Sequence, residues 1–208
     1  MRYSILLSLF ILSFVNPSPA EQALLSGKIT HGGYGAPVIK FTSINGESAV
    51  LVGGQGGWII NHTLAIGGGG FGLATEHHPE MVYATTPWSK DELRTSVGYV
   101  GVMLSYIGMS DQLLHPTLDV LIGGGELHED FANDSFEHDQ WEEEDHDCPS
   151  SEFFIVEPTI SAELNIVSFM RLNAGVGYRF VDGVDSWGFS DSDISGLSVS
   201  TMLKFGKF

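Results

Sequence analysis

The chain has 208 residues, 26 glycines, a single cysteine and a formal net charge of -17. So acidic a surface excludes nucleic acid as a partner, because phosphate binding needs clustered Lys and Arg. Cys148 has no second cysteine to pair with, so an intramolecular disulfide is excluded as well.

Residues 1–20 have the three parts of a secretory signal: basic Arg2, an apolar stretch from Tyr3 to Val15, and the small-residue ending Ser18-Pro19-Ala20. Cleavage is expected after Ala20. The apolar stretch is short for a spanning helix, which needs about 20 residues, and no second such run follows. The rest, residues 21–208, is expected to form a single β domain. It is rich in Gly, Val, Ile, Phe and Thr, with no long stretch of Ala, Leu, Glu and Lys at helical spacing.

Runs of period two bounded by turn residues predict eight strands: Gly32 to Ile44, Glu47 to Ile60, Thr63 to Ala74, Thr95 to Gly108, His115 to Glu126, Glu152 to Ile166, Phe169 to Val181 and Ser195 to Phe208. Each reaches the about 9–11 residues with which a tilted strand crosses a bilayer. The first connection, Asn45-Gly46, is the strongest two-residue hairpin signal, since both central residues of that turn take positive φ. Short turns are expected at Asn61-His62, Ser110-Asp111 and Val167-Ser168. Long connections are expected at about residues 75–94, 127–151 and 182–194. With the N-terminus in the periplasm, the long connections all face outward, as outer-membrane barrels require. The predicted fold is therefore all-β, an eight-stranded antiparallel up-and-down transmembrane barrel.

Alternation assigns the faces. In the seventh strand Leu172, Ala174, Val176, Tyr178 and Phe180 oppose Arg171, Asn173, Gly175, Gly177 and Arg179. In the sixth, Phe154, Val156, Pro158, Ile160, Ala162, Leu164 and Ile166 oppose a face carrying Glu157 and Glu163. An Arg on the lipid face near the midplane costs about 2–4 kcal/mol, so the charged face is expected inside. There Lys40, Arg171, Arg179 and Lys204 are expected to balance Asp119, Glu157 and Glu163. An eight-stranded barrel is only wide enough to be filled by its own side chains, so the lumen is expected to be plugged. The run Gly67 to Gly70 fits packing in that narrow space. It is no phosphate loop, because no Lys-Ser/Thr follows and it opens no helix.

With signal, loop alternation and a terminal aromatic in place, the chain resembles the small bacterial outer-membrane β-barrel proteins. The segments Gly32 to Gly57 and Phe153 to Tyr178 and the ending Leu203-Lys204-Phe205-Gly206-Lys207-Phe208 also resemble an uncharacterised exported barrel family, which implies no known activity. The resemblance implies outer-membrane lipid and the barrel-assembly machinery as partners, the latter reading a C-terminal aromatic. Phe208 departs from the parity shared by Leu197, Val199, Leu203 and Phe205; a bulge at Gly206 would restore it. A monomer is expected.

Chemistry is less defined. Eleven of the 26 acidic residues fall between Glu126 and Asp147. His128, Glu129, Asp130, His138, Asp139, His146 and Asp147 are candidate ligands for a divalent cation, since carboxylate oxygens suit hard cations and His nitrogen suits zinc or copper. Their spacing matches no finger or EF-hand, and a block of like charge reads first as a solvated loop. No resident cofactor is expected. The leading reading is a non-enzymatic outer-membrane barrel with acidic surface loops in a structural, adhesive or surface-protective role. Two alternatives stand beside it. One is a membrane-embedded lipid- or peptide-modifying enzyme using His77-His78 with Ser89 or Ser96, for which no nucleophile-elbow pattern is present. The other is a soluble periplasmic barrel holding a small apolar ligand. Tyr83, Trp88, Tyr99, Tyr106, Trp187 and Phe189, near strand ends or loops, are candidates for an interfacial aromatic girdle.

Overall fold

A computed structural model describes residues 29–75, 93–131, 150–185 and 189–208, with backbone only at 93–94 and 129–131. The strands are β1 (His31–Ile44), β2 (Glu47–Ile60), β3 (Leu64–Leu73), β4 (Leu93–Ile107), β5 (Leu114–Phe131), β6 (Ser150–Val167), β7 (Met170–Asp182) and β8 (Gly196–Lys207). Each pairs antiparallel with its neighbour in sequence, and β8 returns to β1 from Gly33 opposite Lys207 to Phe41 opposite Val199. The eight-stranded up-and-down barrel read from the sequence is therefore the observed fold. Closure leaves no unpaired strand edge.

Turn chemistry sets the registers. Asn45 (φ 51°) and Gly46 (φ 76°) both take the left-handed conformation, which suits the twist of the paired strands. Asn61 and His62 do the same at the other end of the barrel, where the Asn61 side-chain oxygen accepts from the Thr30 amide at 2.9 Å. The turns at Asn61-His62, Ser110-Asp111 and Val167-Ser168 thus share one end of the cylinder, and the Asn45-Gly46 turn lies at the other with the long connections.

Two connections differ from expectation. β5 runs on to Phe131 and β6 begins at Ser150, so both ends of the stretch read as an acidic loop are strand. Leu93 to Thr95 of β4 lie opposite Phe131 to Glu129, and backbone pairing needs no apolar side chains. The seventh connection contains a four-residue helix, α1 (Asp191–Ile194), preceded by Ser190, whose amide donates to the Asp193 carboxylate at 2.8 Å. The Asp193 carbonyl accepts from the Asn45 amide at 2.8 Å, fixing α1 across the long-loop end.

The lumen has tiers. Beneath α1 lies an apolar one, with Ile44, Leu127, Phe153, Ile155 and Ile194 all buried; below it the interior turns polar. Glycines permit the tight curvature. A Cβ on Gly67 would strike the Gly56 carbonyl of β2, and one on Gly123 would strike the Val100 carbonyl of β4, whereas one on Gly35 would meet nothing. Gly67→Ala is accordingly expected to destabilise the barrel by about 1–3 kcal/mol and Gly35→Ala to leave it unchanged, as read from urea midpoints of the folded protein.

Candidate functional site

Strand alternation delivers all seven predicted interior charges to the lumen: Lys40, Asp119, Glu157, Glu163, Arg171, Arg179 and Lys204 are each no more than 7% exposed. They gather mainly into two clusters. In the cluster toward the short-turn end, the Glu163 carboxylate receives Lys204 Nζ at 2.5 Å and Arg171 Nη1 at 3.0 Å. His115 Nε2 lies 3.3 Å from the same group, and Asn173 Nδ2 donates to it at 3.3 Å. In the cluster toward the long-loop end, Glu157 receives Lys40 Nζ at 2.6 Å, the Tyr99 hydroxyl at 3.0 Å and the Ser198 hydroxyl at 3.0 Å. A buried carboxylate with this many donors is tolerated, where an unpaired one is strongly destabilising.

Aromatic faces complete the solvation of the cations. Lys40 Nζ sits 3.6 Å from the centroid of the Phe71 ring, and Lys204 Nζ 4.8 Å from that of Tyr34. Cation–π contacts of this kind contribute about 2 kcal/mol or more when desolvated. The Arg171 guanidinium lies 4.0 Å from the Phe208 ring. Phe208 is thereby turned into the barrel rather than restored to the outer face, and Phe205 is the last aromatic on the outside.

Two of the seven do not join a carboxylate–cation pair. Arg179 donates through Nε to the Ile194 carbonyl at 2.8 Å, the last carbonyl of α1, where a cation is favoured. Asp119 makes no hydrogen bond through either oxygen. The sequence reading places Asn173 on the inward face without assigning it to a cluster, and it gives no role there to His115 or Ser198, whose parity also places them inside. Tyr99, expected in an interfacial girdle, is 2% exposed and belongs to the Glu157 cluster. Phe189 is also buried, whereas Tyr106 is exposed on the outer face. Tyr83, Trp88 and Trp187 lie outside the described residues.

The outer face is the reverse. On β5 the outward positions from Leu114 through Pro116, Leu118, Val120 and Ile122 to Gly124 carry no charge, and on β6 the same holds from Phe154 to Ile166. Among the described residues, charged side chains return to this face only toward the two ends of the barrel. Glu126 and Glu152 stand directly opposite each other across β5 and β6, with His128 one step further out. They border a concavity of about 880 Å³ that also takes in Ser96, Gly98 and Gly124. Of the candidate metal ligands, His128 is half-buried at this rim. Glu129 and Asp130 are placed by their backbone at the end of β5, and His138, Asp139, His146 and Asp147 lie outside the described residues, as do His77, His78 and Ser89. Among the described residues no three His, Cys, Asp or Glu side chains converge as a metal site.

Three-dimensional comparison finds solved bacterial barrels. Neisserial surface protein A aligns with a TM-score of 0.56 and 10% identity over 88% of this chain and 100% of its own. OprG, an outer membrane protein of Pseudomonas aeruginosa, aligns at 0.50 and 10% identity over 85% of this chain and 95% of its own. The fold is that of the small outer-membrane barrels. No protein-family model matches the sequence, and no curated protein matches it either. The likeness therefore lies in architecture, at an identity where individual residues do not carry over.

Two outcomes are expected from this interior. Lys40→Met or Glu157→Gln alone destabilises the barrel by about 3–5 kcal/mol by leaving a buried charge unpaired, while the double variant restores most of the loss; a double-mutant cycle on urea midpoints measures it. In planar bilayers the wild-type barrel is expected to give no large stable conductance, because side chains fill the lumen.

Proposed function

We propose that the protein is a non-enzymatic β-barrel of the bacterial outer membrane, delivered by a signal peptide cleaved after Ala20, with a structural or adhesive role at the cell surface. One observation carries this reading: among the described residues, the outer face of β5 is free of charge over the eleven residues from Leu114 to Gly124, about the length with which a tilted strand crosses a bilayer, and it surrounds a lumen whose charges are nearly balanced. Val102 on β4 and Ile160 on β6 are 57% and 68% exposed at mid-height. Such a belt is expensive in water and favourable in lipid. Of the two solved barrels compared above, one is named as a surface protein and the other as an outer membrane protein.

The polar groups inside serve structure in this reading. Glu157, Glu163 and His115 are engaged with one another's neighbours and lie beneath the apolar tier, out of a substrate's reach. Among the described residues, the cavity bordered by Lys40, Asp119 and Glu157 has a volume of only about 20 Å³, against the roughly 300–1,000 Å³ of sites that take organic ligands. This speaks against a soluble barrel carrying an apolar ligand inside. Closure of the sheet supports a monomer, and the run Leu197, Val199, Leu203 and Phe205 on the outer face of β8 supports recognition by the assembly machinery.

At the rim, Glu126 opposite Glu152 is the kind of like-charge pair that destabilises a sheet unless a cation lies between. This supports loose binding of divalent cations, bridging the acidic rim and loop to anionic lipid headgroups, with His128, Glu129 and Asp130 from the end of β5 and His138, Asp139, His146 and Asp147 from the loop.

Cell fractionation with heat-modifiable gel migration tests the location: the mature protein is expected in the outer-membrane fraction, and release without detergent would overturn it. Val102→Arg is expected to cost about 2–4 kcal/mol on folding into bilayers, a penalty a water-exposed position would not show. Calorimetric titration of calcium is expected to give heat with the wild type and less with a form lacking residues 132–149; equal heats would remove the loop from cation binding.

A further inference from the structure

Asp119 lies on β5, opposite Ser105 of β4 and Thr159 of β6. It is 5% exposed, yet neither carboxylate oxygen has a hydrogen-bond partner, and the hydroxyls of Ser105 and Ser200 are unpaired as well. Buried polar groups are paired as a rule, and an orphaned carboxylate is among the most costly exceptions. Beside it is a cavity of about 20 Å³ lined by Lys40, Gln55, Asp119, Glu157, Thr159 and Ser200.

We propose that this cavity is a binding site for one ordered water molecule, held by Asp119 and linking it to the Glu157 cluster. Size limits the ligand: about 10–15 Å³ of such space admits one water, and an ion with its hydration shell does not fit. Charge excludes a bare cation, because the Lys40 ammonium borders the same cavity and the lumen already holds four cations against three anions. An anion would meet Asp119 and Glu157. A water molecule answers both signs at once, donating to a carboxylate oxygen while accepting from Ser200 or Lys40, and buried waters make about three such bonds. The site thus lets Asp119 offset the surplus positive charge without a direct ion pair.

Diffraction from full-length protein crystallised with rubidium chloride decides the matter. The expected result is an oxygen-sized peak about 2.7–3.2 Å from an Asp119 carboxylate oxygen with no rubidium anomalous signal. The peak is expected to persist in Asp119→Asn and to vanish in Asp119→Leu. Rubidium signal in the cavity, or a wild-type cavity without density, would overturn the proposal. The wild-type crystal answers the question even if Asp119→Leu fails to fold.

Discussion

Closing eight strands into one cylinder commits every second side chain to a space too narrow for bulk water and wide enough only for side chains. Any charge placed there must be satisfied by another placed there. Glu163 is reached from three other strands, by His115 of β5, Arg171 of β7 and Lys204 of β8. Glu157 on β6 is reached by Lys40 of β1, Tyr99 of β4 and Ser198 of β8. The two clusters therefore tie together strands that are not neighbours in the sheet. Their net contribution to stability is small, because desolvation offsets attraction in buried pairs. What they enforce is register. A slip of one residue in β6 or β7 would turn Glu157 and Glu163, or Arg171 and Arg179, onto the outer face, and in a bilayer each misplaced charge would cost several kcal/mol.

That same alternation is why so much could be read from the sequence. Period two is a local property of a strand, and turn residues such as Asn45-Gly46 mark its ends locally too. The predicted strands consequently agree with the observed ones to within a residue or two, apart from the outer ends of β5 and β6, and the seven interior charges were assigned to the correct face. The partners of those charges were harder to read. Pairing between Tyr99 and Glu157, or His115 and Glu163, depends on the stagger of strands around the barrel, which no single strand encodes. The acidic end of β5 reads as loop because its composition is that of a solvated segment, although the ladder with β4 is made by backbone alone. Phe208 turns inward because Arg171 offers it a cation, a contact between residues on different strands that parity at the C-terminus does not reveal.

The interior is less uniformly ionic than its seven charges suggest. Phe153 and Ile155 sit on the same face of β6 as Glu157 and Glu163, and that strand passes from apolar to charged along one side. The division has an electrostatic consequence. Carboxylates crowd the long-loop end, where Glu47 and Asp182 stand at the ends of β2 and β7 and Glu126 faces Glu152 across β5 and β6, and they would compete for Lys40 and Arg179 if they could reach them. The tier of Ile44, Leu127, Phe153, Ile155 and Ile194 separates the two populations. α1 packs on that tier beside β7 and β1, and its last carbonyl is the acceptor for Arg179.

Arg179 shows how the lid and the lumen depend on each other. Its guanidinium is fully buried and has no carboxylate within ion-pair distance among the described residues; it is met instead by the Ile194 carbonyl at the end of α1, the Thr42 hydroxyl and the Tyr99 ring. That arrangement holds only while α1 is docked through Asn45 and Ser195, the latter accepting from the Val181 amide at 3.0 Å. Undocking α1 would leave a buried cation unpaired and expose Phe189 and Ile194 together. The charge and the apolar area penalise the same motion, which keeps a four-residue helix, too short to be stable alone, fixed at the mouth of the barrel.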